Sequence, residues 1–197
     1  PYLLKEINVP IFGTKLTLGL LEGKLKDHNL LKDRKLKVVN PGNSVDVGSF
    51  IIDFIKVNHS IADTCALAIH TELGPIVYAS DFKFDQTPID GETADFHRLA
   101  ELGDSSSGVL CLISDSTNVE REGYTMSEKV VGKTIDNIFR KAFGRIILAT
   151  FSSNIHRVQQ VIDAALQYDR KIAFAGRSMK NNIKIARDLG YVEYPDD

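Results

Sequence analysis

The chain has 197 residues, 43% apolar and 25% charged, with 24 Lys+Arg against 26 Asp+Glu for a formal charge of −2. These values exclude a disordered, collagen-like or disulfide-scaffold chain. No apolar run exceeds five residues, against the ~20 needed to cross a bilayer, so no membrane span or membrane partner is expected. The two cysteines, Cys65 and Cys111, stand apart in apolar segments, which fits buried thiols in a reducing compartment, the cytoplasm, better than a disulfide or a four-ligand zinc site.

In chain order, Thr14 is a suitable N-cap for a helix over 14–26, with Leu16, Leu20 and Leu21 forming its apolar stripe. Lys37–Val39, Phe50–Val57, Ala66–Thr71 and Ile76–Ala79 are short, β-branched or aromatic, and bounded by turn residues, so they read as strands. Leu73-Gly74-Pro75 is the turn that joins the last two as a hairpin. After a polar loop from Ser105 comes a buried strand, Val109–Ile113. Beyond the loop Glu120–Gly123, helix and strand alternate. Ser127 caps a helix to Lys141, Ile146–Phe151 is a strand, and a helix over Asn154–Tyr168 places Val158, Val161, Ile162, Ala165 and Leu166 on one face. Lys171–Ala175 is the next strand, and Ser178 starts a helix that ends at Gly190. This is an α/β pattern in two pieces: a strand-rich N-terminal part and, from about 125–135, βαβ units with a parallel sheet.

Charge is segregated along the chain. Residues 1–37 hold eight Lys/Arg against four acids, residues 81–104 hold seven acids against two basic residues, and Arg140–Arg187 carries a local charge of +8. The basic stretch reads either as solvated helix faces or as a surface for a polyanion.

His59 and Asp81 each follow a predicted strand, where side chains converge on a common edge. Imidazole and carboxylate suit Zn²⁺ or Mn²⁺, although two ligands do not complete a site, and a loop histidine with a turn-capping aspartate is the plainer alternative. Asp115 follows the Val109–Ile113 strand in Ser-Asp-Ser-Thr-Asn, a place where open α/β sheets bind ligands. It would orient a histidine or bind a metal, with Ser116, Thr117 and Asn118 donating to phosphate oxygens, unless the string is only an Asx turn. Ser152, Ser153 and Asn154 lead into a helix N-terminus, with His156 and Arg157 one turn in, and Arg177 and Ser178 repeat the arrangement. Such termini attract anions, and ordinary capping is the competing reading.

Taken together, Pro-Tyr-Leu-Leu (1–4), Asn-His-Ser-Ile (58–61), Ser-Asp-Phe-Lys-Phe-Asp (80–85), Ser-Asp-Ser-Thr-Asn (114–118), Ala-Thr-Phe-Ser-Ser-Asn-Ile-His-Arg (149–157) and Gly-Arg-Ser-Met (176–179) resemble bacterial ribonuclease J, of the β-CASP branch of the metallo-β-lactamase fold. The resemblance implies a partial metallo-β-lactamase αββα sandwich over 1–130, then the first βαβ units of a β-CASP domain over 131–197. It implies an RNA-processing hydrolase with 5′-to-3′ exonuclease and endonuclease activity in mRNA decay and rRNA maturation, using two Zn²⁺ or Mn²⁺. By position, His59 matches a metal ligand, Asp81 the carboxylate bridging both metals, and Asp115 an acidic residue supporting a downstream histidine. The segments at Ser152–Asn154 and Arg177–Ser178 would face the RNA. RNA is the implied partner, with a dimer or tetramer of the full-length protein, or an assembly with a paralogue.

Ala62 stands where the family usually has proline, and Ser80 where it has glycine; neither position supplies a ligand. The family's His-x-His-x-Asp-His string and later β-CASP histidines do not occur in these residues. The chain therefore reads as an internal piece, inactive alone. Two alternatives stand beside this reading. A non-catalytic RNA-binding paralogue would have no chemical need for His59 and Asp81, and the basic stretch and the Asp115 string weigh against a small-molecule hydrolase.

Overall fold

The computed structural model describes residues 3–32 and 34–195, so Pro1 and Tyr2 of the first string lie outside the described residues. Five strands form one mixed sheet in the order β3 (Ser44–Val47), β4 (Phe50–Lys56), β5 (Cys65–His70), β6 (Ile76–Tyr78), β7 (Cys111–Ile113). β3 to β6 pair antiparallel, and β7 joins β6 in parallel. β4 and β6 therefore run the same way as β7, and the carboxyl ends of all three share one edge of the sheet. On β5 the alternate residues Ala66 and Ala68 are buried, the period of two that a one-faced sheet requires. They pack with Ile55, Val57 and Val77 against Leu102 of helix α2 (Phe96–Asp104), with larger side chains contributing about 1.5–3 kcal/mol each.

Helices α1 (Lys15–Asp27), α4 (Ile155–Gln167) and α5 (Arg177–Asp188) build a second core from Leu16, Ile155, Val158, Ile162, Ile183 and Val192. α1 approaches α5 closely because Gly19 lacks a side chain: a Cβ there would lie 2.7 Å from Leu189 Cδ1. α3 (Glu128–Lys141) packs on α4 through Ile135, Phe139, Ala164 and Ala165. A two-stranded parallel ribbon, β1 (Ile11–Gly13) with β2 (Leu36–Val38), flanks α1.

The expected caps at Ser127 and Asn154 are present; their side chains accept the backbone N–H groups of Lys129 and Arg157. α5 instead begins after Gly176, whose φ of 90° only glycine adopts readily, so Ser178 lies inside the first turn. It ends in a Schellman turn, with Gly190 at φ 84° and Tyr191 N–H donating to the Ala186 carbonyl.

Three sequence expectations need correction. The segments 146–151 and 171–175 form no strand; both line a groove of about 650 Å³ together with Phe139, Val158 and Met179. β-branched composition permits an extended chain, but a strand also needs a neighbouring backbone to complete its hydrogen bonds, and neither segment has one among the described residues. Val109–Ile113 shortens to Cys111–Ile113 and is exposed, Leu112 at 63%, because β7 is an edge strand rather than an inner one. Cys111 is accordingly exposed, and only Cys65 is partly buried. No helix among the described residues is long and apolar enough to cross a membrane.

Candidate metal centre

The shared edge of β4, β6 and β7 brings the three acid–base candidates together. His59 lies three residues beyond β4, Asp81 three beyond β6 and Asp115 two beyond β7. His59 Nε2 is 3.7 Å from Asp81 Oδ2, with Asp81 largely exposed. Asp81 is delivered by Ser80 at φ 61°, a left-handed conformation costing about 1–2 kcal/mol for a residue with a Cβ. That backbone turn is the physical reason a glycine suits this position.

Asp115 Oδ1 accepts the Thr117 N–H at 2.9 Å, so the Asx turn is present. The Thr117 backbone N–H, its hydroxyl and the nearby His59 together hold the Asp115 carboxyl below the usual carboxylate range. Asp115 stands at the same edge of the sheet as His59 and Asp81, beyond the end of β7.

Two donors bound ~2.0–2.1 Å from a tetrahedral zinc sit about 3.3 Å apart, so the His59–Asp81 spacing fits adjacent ligands after a small side-chain adjustment. Among the described residues, no group of three or more His, Cys, Asp or Glu side chains forms a fuller metal cage. His59 and Asp81 would thus supply two ligands of such a site, at a place open to solvent on the Asp81 side.

The phosphate candidates are not gathered into one cluster of free groups. Asn154 is buried and occupied in capping α4. Arg157 turns inward, its terminal nitrogen 2.8 and 3.0 Å from the two Glu128 carboxylate oxygens. His156 Nε2 faces Asp90 at 3.7 Å; burial lowers its pKa, outweighing the pull of Asp90. The Ser152 hydroxyl accepts from Asn182, and the Ser153 carbonyl accepts from the Ile155 N–H. Ser116, Thr117, Arg177 and Ser178 are exposed, with Arg177 also bonded to Asp27 at 3.0 Å.

Three residues around this edge lie inside the strings quoted above, although none of them is among the candidate site residues. Lys83 points inward between Asp85 (3.4 Å) and Glu128 (3.6 Å), tying the segment after Asp81 to the start of α3. The Asp85 carboxylate also accepts the Thr87 and Glu128 N–H groups. Asn58, immediately before His59, is buried, its amide donating to the Glu92 carbonyl and accepting the Ala94 N–H. Their signal in the sequence is their place within these strings, next to or a few residues from the candidate ligands.

The sheet is mixed, carries His59, Asp81 and Asp115 just beyond three strand ends, and is followed by a helical segment, an α/β scaffold with its polar candidates on one edge. Residues 143–197 match the family model described as "Ribonuclease J, beta-CASP domain". The chain is 48% identical over 196 residues to ribonuclease J of Helicobacter pylori strain J99, covering 99% of this chain and 28% of that protein. It is 45% identical over 203 residues to ribonuclease J of Thermus thermophilus and 44% over 196 to ribonuclease J2 of Bacillus subtilis, covering all of this chain and 35% of each relative. A crystal structure of a protein of unknown function from Enterococcus faecalis V583 superposes with a TM-score of 0.66 at 16% identity, over 94% of this chain and 44% of that one, and shows the fold alone. Over its whole length the chain is thus similar to part of ribonuclease J from these bacteria, and its fold is a partial metallo-β-lactamase/β-CASP arrangement. It spans about a third of the length of the curated relatives it matches.

Proposed function

We propose that the intact protein is a metal-dependent ribonuclease that hydrolyses RNA phosphodiester bonds, as a 5′-to-3′ exonuclease and endonuclease in mRNA decay and rRNA maturation. The 3.7 Å approach of His59 and Asp81, with Asp115 beyond a strand end on the same sheet edge, carries this reading. His59 and Asp81 would hold part of a two-ion centre of Zn²⁺ or Mn²⁺, which when bound supplies an activated water at neutral pH. Asp115, whose carboxyl Thr117 holds below the usual carboxylate range, would stand at the same sheet edge as the pair. On this reading the metallo-β-lactamase part covers 1–130, with the metal ligands, and the β-CASP part 131–197, with the basic surface. Lys141, Arg145, Lys171, Lys180 and Lys184 are exposed there and suit sequence-independent phosphate contacts. Assembly as a dimer or tetramer, or with a paralogue, and a cytoplasmic location complete the proposal.

The test is cleavage of 5′-monophosphorylated RNA by the intact protein with Zn²⁺ or Mn²⁺. His59→Ala is expected to lower the rate at least about 100-fold, whereas residues 1–197 alone give no cleavage. Unchanged activity in His59→Ala, or a fully active 1–197 chain, overturns the proposal. RNA binding without cleavage in the intact protein would favour a non-catalytic partner of an active nuclease.

A further inference from the structure

His59 has no hydrogen-bonding partner for its ring among the described residues apart from the 3.7 Å approach to Asp81, so its position is set by the backbone beneath it. That backbone is tied at Asn58. The Asn58 amide donates to the Glu92 carbonyl at 2.7 Å and accepts the Ala94 N–H at 3.2 Å. Its own carbonyl accepts the Lys83 N–H at 2.8 Å, two residues beyond Asp81. One 7%-exposed residue therefore joins three segments: the end of β4 that carries His59, the segment after Asp81, and the loop into α2.

We infer that Asn58 is a positioning residue that fixes the separation and relative orientation of His59 and Asp81. This rests on the reading of that pair as metal ligands. The chemistry explains the residue type. A buried amide supplies a donor and an acceptor from one short side chain, and both are satisfied here. Aspartate offers no donor for the Glu92 carbonyl, and alanine offers neither group. Losing the tether leaves the 92–94 loop held to β4 through the Asp95 N–H on the Lys56 carbonyl and lets the Asn58–Lys83 bridge shift, so the two donors no longer meet at a fixed spacing. Groups that orient metal ligands from behind typically set affinity by about 10–100-fold.

The experiment measures Zn²⁺ affinity of the intact protein by chelator competition, alongside kcat on 5′-monophosphorylated RNA and thermal unfolding. Asn58→Ala is expected to weaken Zn²⁺ binding at least about tenfold, with kcat falling in step. Asn58→Asp, which keeps the acceptor, falls between and serves should the alanine variant not fold. Ser44→Ala, a destabilising change remote from the site, separates positioning from stability and should keep affinity within about twofold. His59→Ala tests the ligand reading itself. If His59→Ala loses Zn²⁺ while both Asn58 variants bind as wild type, the positioning role is wrong and the site stands. If His59→Ala binds Zn²⁺ unchanged, the site reading fails and the role of Asn58 fails with it.

Discussion

The chain uses the same pair of side chains twice, at opposite ends of one sheet, for different purposes. His70 and Asp53 face each other across β5 and β4 at 2.8 Å. Asp53 is buried there and also receives the Ser44 hydroxyl at 2.6 Å and the Arg98 guanidinium at 2.5 Å. Burial opposes its ionisation, yet hydrogen bonds from Ser44, Arg98 and His70 outweigh that and hold its pKa at about 2. His59 and Asp81 stand 3.7 Å apart with Asp81 exposed and no such ring of donors. A saturated carboxylate is a fastener, here pinning α2 to the sheet through Arg98. An unsaturated one keeps lone pairs available for an external cation. Residue type does not separate the two pairs; the number of donors already aimed at each carboxylate does.

The comparison is broken most severely by removing the buried carboxylate. Asp53→Ala leaves Arg98 and His70 without their anion and is expected to lower unfolding free energy by about 3 kcal/mol in urea titrations, while Asp81→Ala changes it by no more than about 0.5 kcal/mol. Equal losses at the two positions would abolish the distinction between fastener and open site. Acid sharpens it next. Because the native pKa of Asp53 lies below the ordinary 3.8, its contribution is complete above that value and disappears as pH falls through about 2. The linked stability is on the order of 2 kcal/mol, read as the difference between wild type and Asp53→Asn across that window. Ser44→Ala removes one donor and should cost about 1 kcal/mol, checked by the same titration.

The smallest effect concerns His156. Burial and Lys56 depress its pKa below 6.5, against Asp90, Glu128 and Asp63, which pull it upward. A histidine buried neutral contributes fully above its unfolded pKa and opposes folding as pH drops below it. Stability should therefore decline modestly between pH 7 and 5, and His156→Gln should flatten that slope in thermal melts.

Much of the architecture was legible along the chain. The strands β4, β5 and β6 and the helices α3, α4 and α5 fall within a few residues of expectation, because period-two and period-3.6 burial and side-chain caps at Ser127 and Asn154 are local signals. β3 escaped notice, since its Ser-Val-Asp-Val alternation is short and mostly exposed. The pairing of α1 with α4 and α5 joins residues more than a hundred positions apart, a contact no local pattern records.

What the sequence determined by itself was the chemistry on offer and the family resemblance: a histidine and two aspartates just beyond strand ends, set in strings close to those of ribonuclease J. Which of its groups remain available was decided only in three dimensions. Arg157, promising as a phosphate contact in sequence, is bound to Glu128, and His156 faces Asp90, whereas His59 and Asp81 stay open above the Asn58 tether. The physical reason is that a polar side chain's availability depends on the partners that burial brings to it, and those partners come from segments distant in the chain.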